Sequence, residues 1–422
     1  MGIYFYWEDI VMKSILRLSL LLSLALFGLC VEIAAQGNMH VVSGVVRDAN
    51  TGRKLSQASI STIGGHEATV TNTDGVFSIK TPRIPQSLIF SHIGYQTAVV
   101  PVSAGNLTNL KVRMQPSSIM LSEVLVSANE PMAIVLAAID KIRVNYSHNP
   151  ELMRCFYRET TQKGRRYIYV AEAVIDMYKS PYNRIMHNDR VSIIKGRRIV
   201  STHASDTLGA KMQGGPTLPV HIDLMKNRDY LLTKDELSLY NLRMEVPTSL
   251  DGRPQYVISF SPAIKTDHVL YYGKMYIDQQ TLAFTRIEMS LDMSDQGLAT
   301  QAMLLSKPIG VRFKPREMVT TVAYSFDGSV SRIQYVHSDV RFNCEWKRKL
   351  FAAPYHVEAE MVVTDLLSTE ATPISGKSSF RSTDSFFDKV QFFADPDYWK
   401  DYNIIEPTES LEHAIEKLRK KQ

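Results

Sequence analysis

The sequence predicts a mainly β protein: a small N-terminal sandwich, a linker helix, and a larger antiparallel β-rich domain followed by a C-terminal helix. Residues 40–115 contain about seven short runs rich in β-branched residues, separated by turn residues. Residues 151–370 contain longer runs of the same kind with few helix signals. With 45% hydrophobic and 22% charged residues, the composition is that of a folded globular chain.

The first 35 residues are predicted to form a signal peptide. Two basic residues precede an apolar run over residues 18–29, and Ile33-Ala34-Ala35 offers small residues for cleavage. The run is too short for a spanning helix, so we expect export to the periplasm, with peripheral association with the outer membrane as an option. Lipidation at Cys30 stays open as an alternative, although Leu29 before it is larger than such a site needs.

Seven strands are predicted in the N-terminal region. In chain order they cover residues 40–47, 58–62, 68–71, 76–79, 87–91, 97–102 and 110–114. Asp74-Gly75 suits a tight hairpin turn, because glycine adopts positive φ without strain. Strands of this number and length make one small sandwich, which we expect to fold independently.

Five short motifs follow one another in this region. They are Gly44-Val-Val-Arg-Asp48, Thr51-Gly52, Ala58-Ser-Ile60, Thr73-Asp74-Gly75-Val-Phe77 and Phe90-Ser-His-Ile-Gly94-Tyr95. In this order they resemble the carboxypeptidase regulatory-like domain, which implies a transthyretin-like sandwich. That domain is frequent at the N-termini of Bacteroidetes outer-membrane proteins, including TonB-dependent receptors. The resemblance implies a docking module in the cell envelope and no particular chemistry, because one fold hosts many functions.

Residues 116–150 are predicted to form a linker and a helix. Residues 121–126 resemble the stretch that joins the regulatory-like domain to the plug of those receptors. Pro131 suits the first turn of a helix, and apolar residues such as Val135 and Ile142 recur on one helical face. We therefore expect a helix where a receptor would have its plug.

Residues 151–370 are predicted to form a curved antiparallel sheet with an irregular insertion at residues 206–241. Gly273–Asp278 and Thr281–Glu288 make a strand ending in Asp, a short turn, and a strand ending in Arg-x-Glu. This pattern is similar to the central hairpin of lipoprotein-carrier-like half-barrels. The resemblance implies a groove for a hydrophobic ligand.

The C-terminal extension, residues 371–422, is predicted to end in a helix from about Thr408 to Lys420. Residues 392–407 before it resemble a segment of large Bacteroidetes envelope proteins that also begin with the regulatory-like domain. The resemblance again points to the envelope.

The sequence contains no recognised catalytic constellation. A serine-hydrolase elbow, a phosphate-binding glycine loop and paired Cys-x-x-Cys motifs are missing from it. His148 and Glu151 have the spacing of zinc ligands, but Pro150 places them in a loop rather than on a rigid element. His356, Glu358 and Glu360 alternate as they would on any exposed strand. We therefore predict no cofactor and a non-catalytic protein, with an envelope hydrolase of unrecognised site as the alternative.

Aromatic residues supply the candidate ligand site. On one strand, Tyr272 and Tyr276 are predicted to share a face while Tyr271 points to the other. Tyr272 and Tyr276 are thus the candidate ligand-binding residues, if their face is not simply packed core. We expect a lipid, peptide or glycan ligand, or an envelope protein partner. Nucleic acid is not expected, because the basic clusters lack interleaved aromatics and the chain is exported.

Two cysteines, Cys155 and Cys344, remain after the signal peptide, and an exported protein permits disulfides. They lie on unrelated predicted strands, so the sequence leaves their pairing open.

Overall fold

The computed structural model describes residues 39–64, 67–105, 107–117, 130–184, 188–203, 206, 211–212, 215–306, 310–346, 352–394 and 402–420. The predicted signal peptide, Cys30 and the linker motif at residues 121–126 lie outside these ranges. Across the ranges that are described, no helix combines the length and apolar character needed to cross a membrane.

Seven strands form the N-terminal sandwich, at the predicted positions. They are β1 His40–Asp48, β2 Ser59–Thr62, β3 Ala68–Val70, β4 Val76–Thr81, β5 Ser87–Ser91, β6 Ala98–Pro101 and β7 Leu110–Met114. One sheet has the order β4-β1-β7, and the other has the order β3-β2-β5-β6. Their facing side chains, among them Val46, Phe77, Ile79 and Phe90, form a separate apolar core. The predicted sandwich is therefore confirmed.

The turn between β3 and β4 shows why the sequence folds in this way. The Asn72 side-chain oxygen accepts hydrogen bonds from the backbone N–H groups of Asp74, at 2.9 Å, and Val76, at 3.0 Å. Gly75 has a φ of 69°. A Cβ atom at this position would lie 2.7 Å from the Val46 carbonyl oxygen. Glycine is therefore required here by both conformation and space.

Helix α1, Pro131–Asn145, leads into a second region dominated by strands. Its strands are β8 Glu151–Lys163, β9 Arg166–Lys179, β10 Arg190–Val200, β11 Lys211–Met212, β12 Tyr240–Met244, β13 Thr248–Leu250, β14 Arg253–Pro262, β15 Tyr271–Asp278, β16 Phe284–Leu291, β17 Leu304–Ser306, β18 Val311–Phe326, β19 Ser331–Trp346 and β20 Ala353–Ser368. Its helices are α2 Leu218–His221, α3 Lys234–Leu237, α4 Gln296–Met303, α5 Phe386–Lys389 and α6 Glu409–Arg419.

Eleven of these strands form one antiparallel sheet. Its order is β10-β9-β8-β20-β19-β18-β16-β15-β14-β12, with β13 paired to β14, so the described strands make an open sheet with β10 and β12 at its edges. The predicted large antiparallel sheet is confirmed, although the sequence did not predict β10 or β12. Strand β10 contains the basic stretch from Lys195 to Arg198, whose charges obscure its apolar alternation.

The inner face of the large sheet, as we name it, packs against α1, α4, α5 and the segment 218–240. Large apolar side chains fill this contact, among them Val135 and Ile142 of α1 with Met275, Ile287 and Tyr157 of the sheet. Cys155 and Cys344 are both buried here and are not joined by a disulfide. This face is therefore a filled core over most of its area.

The outer face, opposite, carries the sandwich, α6 and residues 402–407, which we name the strap. Ile405 of the strap is buried between Val70 of the sandwich and Phe156, Tyr335 and Val362 of the sheet. The strap is thus held from both sides, and it fixes the sandwich against the sheet.

Asn403 of the strap substitutes for a neighbouring strand of the sandwich. Its side chain accepts from the Lys80 N–H at 2.6 Å and donates to the Lys80 carbonyl at 3.0 Å. Asn403→Ala removes both bonds from a buried position, so we expect it to destabilise the protein by about 1–3 kcal/mol. Chemical denaturation measures this change. Asn403→Asp keeps the acceptor but turns a carboxylate oxygen toward the Lys80 carbonyl in a buried position, so it should destabilise the protein at least as much as alanine. Equal stability of all three proteins would contradict this role.

Candidate functional site

A cleft of about 520 Å³ lies between the sandwich and the outer face of the large sheet. Three separate parts of the chain form its walls: strands β2 and β5 with the loop after β5, the turn between β13 and β14, and the adjoining ends of β16, β18 and β19. The cleft exists only because the sandwich docks on the sheet.

The walls of the cleft combine polar and apolar side chains. Ser59, Ser61 and Ser91 contribute hydroxyl groups from the sandwich, and Gln334 contributes an amide from the sheet. The apolar residues of the lining include Ile89, Ile93, Leu250, Phe326 and Tyr335. Such a lining, largely apolar with a few polar groups, is typical of ligand sites, and the volume lies within their usual range of about 300–1,000 Å³.

Arg286 connects the two walls. Its Nε donates to the Glu288 carboxylate at 2.6 Å on the same strand. Its second terminal nitrogen donates to the Gln57 side-chain oxygen of the sandwich at 2.8 Å. Because the guanidinium is fixed from two directions, its remaining donors present a positive group at the cleft wall.

His92 contributes a second nitrogen-containing side chain to the cleft. Burial lowers the pKa of His92 below its usual value, and its two ring nitrogens contact the carbonyl oxygens of Ile93 and Ser56 at 2.9 and 3.2 Å. Burial thus disfavours the charged form of the imidazole, whereas the Arg286 guanidinium supplies a positive charge at the cleft wall.

The predicted ligand-binding tyrosines lie on the same face of the sheet as the cleft. Tyr276 pairs with Arg286 in the β15–β16 ladder, and its hydroxyl donates to the Glu288 carboxylate at 3.3 Å. Burial raises the pKa of Tyr276 to about 12. Tyr272 lies further along β15 and is 49% exposed. Tyr271 points to the inner face, where it packs on the core.

A row of charged side chains crosses the outer face next to the cleft. Arg158 of β8 donates to the carboxylates of Glu172, at 2.7 Å, and Glu360, at 2.9 Å, and to the Ile405 carbonyl of the strap. Further along the row His337 contacts Glu358 at 2.9 Å. These ion pairs hold the surface on which the strap rests.

A second charged cluster is buried at one end of the inner face. Asp223 accepts from Lys179 at 2.6 Å and from the hydroxyls of Tyr182, at 2.8 Å, and Tyr324, at 3.0 Å. Asp189 pairs with both Lys179 and Lys226. Burial, followed by the neighbouring charge of Lys179, lowers the pKa of Lys226 to about 8. All these groups are enclosed and paired, which indicates a structural role.

The residues weighed as zinc ligands from the sequence have other partners. Glu151 pairs with Arg332 at 2.8 Å, and the His148 ring contacts the Arg143 carbonyl. His356 contacts Asp339 at 2.9 Å. Within the described parts of the chain, no three His, Cys, Asp or Glu side chains are arranged to hold a metal ion.

Comparisons with known proteins assign the N-terminal region. Residues 42–126 match the model of the CarboxypepD_reg-like domain, which confirms the resemblance drawn from the five motifs. The match covers about a fifth of the chain, so it identifies a domain and not the family of the whole protein. No curated protein sequence gives a significant match.

Two solved structures resemble this protein weakly. A DUF1329 family protein from Desulfovibrio piger is 10% identical with a TM-score of 0.21, and the similarity covers 56% of this chain and 94% of that one. A LolA superfamily protein from Nitrosomonas europaea is 12% identical with a TM-score of 0.18, covering 55% of this chain and 94% of that one. TM-scores this low support no inference about a ligand.

Sequence reasoning missed the cleft itself. Gln57 and Arg286 are more than two hundred positions apart, and no local pattern predicts that they meet. Two signals were nevertheless present: the alternating serines of β2, which form a polar row on one face of that strand, and the Arg-x-Glu motif within β16. The second motif places Arg286 at the cleft wall, where Glu288 holds its guanidinium.

Proposed function

We propose that this protein is a non-catalytic binding protein of the bacterial envelope, and that its cleft holds a peptide segment of an envelope protein partner. The observation that carries the proposal is the cleft of about 520 Å³ whose walls come from both the sandwich and the sheet. The sandwich then serves as a docking module that completes the site.

The lining favours a peptide over an acyl chain. Serine hydroxyls and the amides of Gln57 and Gln334 can pair with backbone N–H and C=O groups, while Ile89 and Leu250 can contact apolar side chains. An acyl chain offers no partner to the serine hydroxyls, and each hydroxyl left without one costs about 1–3 kcal/mol. The inner face, which carries Tyr271, is filled by the protein's own core.

Tyr276 and Tyr272 extend the proposed contact surface beyond the cleft. Tyr276 is half-buried beside Arg286, and Tyr272 is exposed on the same face, as an aromatic anchor at the rim of an interface would be. We propose that they contact the partner outside the cleft.

The proposed location rests on the N-terminal sequence and the domain match. The basic stretch, apolar run and small residues before Gln36 have the form of a secretory signal. The CarboxypepD_reg-like domain is consistent with a place outside the cytoplasm.

A bulky side chain placed in the cleft should prevent the partner from binding. Ser61 of β2 lines the cleft, so Ser61→Trp places a large ring where the peptide would lie. We expect the partner-bound fraction, measured by native mass spectrometry of protein purified from its own periplasm, to fall more than about tenfold, or about 1.4 kcal/mol in binding free energy.

The matched control is Lys111→Trp, an exposed position on the other sheet of the sandwich. It adds the same ring away from the cleft and should retain the partner. Equal partner occupancy in both variants would contradict the proposal. Stoichiometric zinc in the spectrum, or turnover of peptide substrates by the wild-type protein, would support an envelope hydrolase instead.

A further inference from the structure

Glu159 of β8 is a carboxyl group that has no ion-pair partner among the described residues. It lies on the inner face, and its Oε2 accepts one hydrogen bond, from the Tyr157 hydroxyl at 3.1 Å. Among the described residues its Oε1 has no hydrogen-bond partner. Burial raises the pKa of Glu159 to about 7.

The other deeply buried carboxylates of this region are paired with cations. Glu172 has Arg158 and Arg197, Asp223 has Lys179, and Asp189 has Lys179 and Lys226. Glu159 differs from these carboxylates, because no cationic side chain among the described residues pairs with it. Burying a carboxyl in this way is unfavourable unless something else pairs with it.

A second polar group near Glu159 is also unpartnered. The hydroxyl of Tyr169, a side chain only 7% exposed, has no hydrogen-bond partner. It is close enough to Glu159 for the charges of the two groups to interact. The Tyr169 ring is fixed by Phe387 at 5.3 Å, and the Tyr157 ring by Phe386 at 5.2 Å. Buried hydroxyls usually have partners, so a polar ligand is the expected occupant.

The register of the sheet leaves Glu159 accessible. Its neighbours on the two adjacent strands are Ala171 of β9 and Ala359 of β20. Because alanine side chains are short, neither neighbour covers the carboxyl. Glu159 is half-buried, so an entering group can reach its Oε1 first and then the buried Tyr169 hydroxyl beside it.

We propose that Glu159, Tyr157 and Tyr169 form a binding site for a primary ammonium group. An ammonium donates three hydrogen bonds and carries the charge that Glu159 lacks, so it can satisfy both Glu159 Oε1 and the Tyr169 hydroxyl. This site lies on the opposite face of the sheet from the cleft and is independent of it.

The site should depend on pH. Two charged groups on neighbouring elements, Arg198 of β10 and Asp388 of α5, affect the pKa of Tyr169. The pKa of Glu159 is set by burial and by the hydrogen bond from Tyr157. A carboxyl with a pKa of about 7 is ionised to roughly nine-tenths at pH 8 and one-tenth at pH 6. Binding of an amine should therefore be about tenfold tighter at pH 8 than at pH 6.

The test uses n-butylamine, charged at both pH values, with 1-butanol as its uncharged match, in calorimetric titrations of the whole protein. We expect butylamine to bind at pH 8, about tenfold more weakly at pH 6, and butanol not to bind. Glu159→Gln should lose at least about tenfold in affinity at pH 8, and Tyr169→Phe should lose part of it. Glu317→Gln, an exposed acid on β18, is the control and should bind normally.

Thermal melts verify the environment of Glu159. Its pKa in the fold is above the ordinary value of 4.5, so the wild-type protein should lose stability as the pH rises from 5 to 8. In Glu159→Gln, the part of this pH-dependent loss of stability that comes from Glu159 should be absent. Butylamine should raise the melting temperature of the wild-type protein at pH 8. If Glu159→Gln does not fold, the proposal is tested by butylamine binding to the wild-type protein at pH 6 and pH 8 alone.

Absent butylamine binding, equal affinity at pH 6 and pH 8, or undiminished binding by a folded Glu159→Gln variant would each overturn the site. A free amine and the amine of a phospholipid headgroup share the same chemistry. Ethanolamine and vesicles of phosphatidylethanolamine distinguish them, since only the matching source should compete with butylamine. Ser61→Trp should bind butylamine normally, which separates this site from the cleft.

Discussion

Replacing Asp223 with alanine is expected to cost about 3–5 kcal/mol of unfolding free energy, because a buried charge cluster then loses one of its two acids. Asp223 is fully enclosed, and it accepts hydrogen bonds from Lys179 and from the hydroxyls of Tyr182 and Tyr324. Without it, Lys179 and Lys226 share only Asp189, and two buried hydroxyls lose their acceptor. Urea denaturation measures the change.

Two variants control this prediction. Asp223→Asn keeps an oxygen acceptor and removes the charge, so its cost should lie between those of the wild-type and alanine proteins. Asp235→Ala changes an exposed acid in the first turn of α3 and should alter stability by less than about 0.5 kcal/mol. A cost for Asp223→Ala as small as that for Asp235→Ala would show that the cluster contributes little.

Replacing Arg158 with methionine is the second change with a large expected effect. The Arg158 side chain is 4% exposed and holds Glu172, Glu360 and the Ile405 carbonyl of the strap. Methionine retains much of the apolar contact but leaves these acceptors without their donor, so we expect a loss of about 3–5 kcal/mol. Denaturation in urea reports the loss.

Arg197→Met is the matched control for Arg158. Arg197 contacts the same Glu172 carboxylate at 2.5 Å, but its side chain is 23% exposed and water can replace it. Its loss should cost about 1 kcal/mol or less. Because Arg158 also binds the strap, Arg158→Met alone should increase protease cleavage near residue 405. Equal effects of both variants on stability and cleavage would contradict the central role of Arg158.

Local patterns explain what could be predicted from the sequence. The sandwich strands were found because β-branched runs and turn residues such as Asp74-Gly75 act within a few positions. Helix α1 was found from Pro131 and its apolar repeat. Strand β10 was missed because its basic residues Arg197 and Arg198 find acceptors in Glu172 and in α5, partners that lie elsewhere in the chain.

The cleft could not be predicted, because it depends on which surfaces meet. The alternation of Tyr271, Tyr272 and Tyr276 separates the two faces of β15, but it does not show which face packs on helices and which faces the sandwich. That choice is made by contacts such as Gln57 with Arg286, across more than two hundred positions. The roles of Tyr272 and Tyr276 in binding therefore remain predictions.

Because the strap follows every described strand in the chain, its contacts with the sandwich can form only after the strands have been synthesised. Residues 40–114 leave the ribosome long before residues 402–407, so a growing chain can fold the sandwich but cannot yet clamp it to the sheet. Before Asn403 reaches Lys80, the sandwich is held on the sheet by direct contacts such as Gln57 with Arg286, without the clamp that the strap adds. A chain cut before the strap should therefore keep both walls of the cleft but hold them together less firmly.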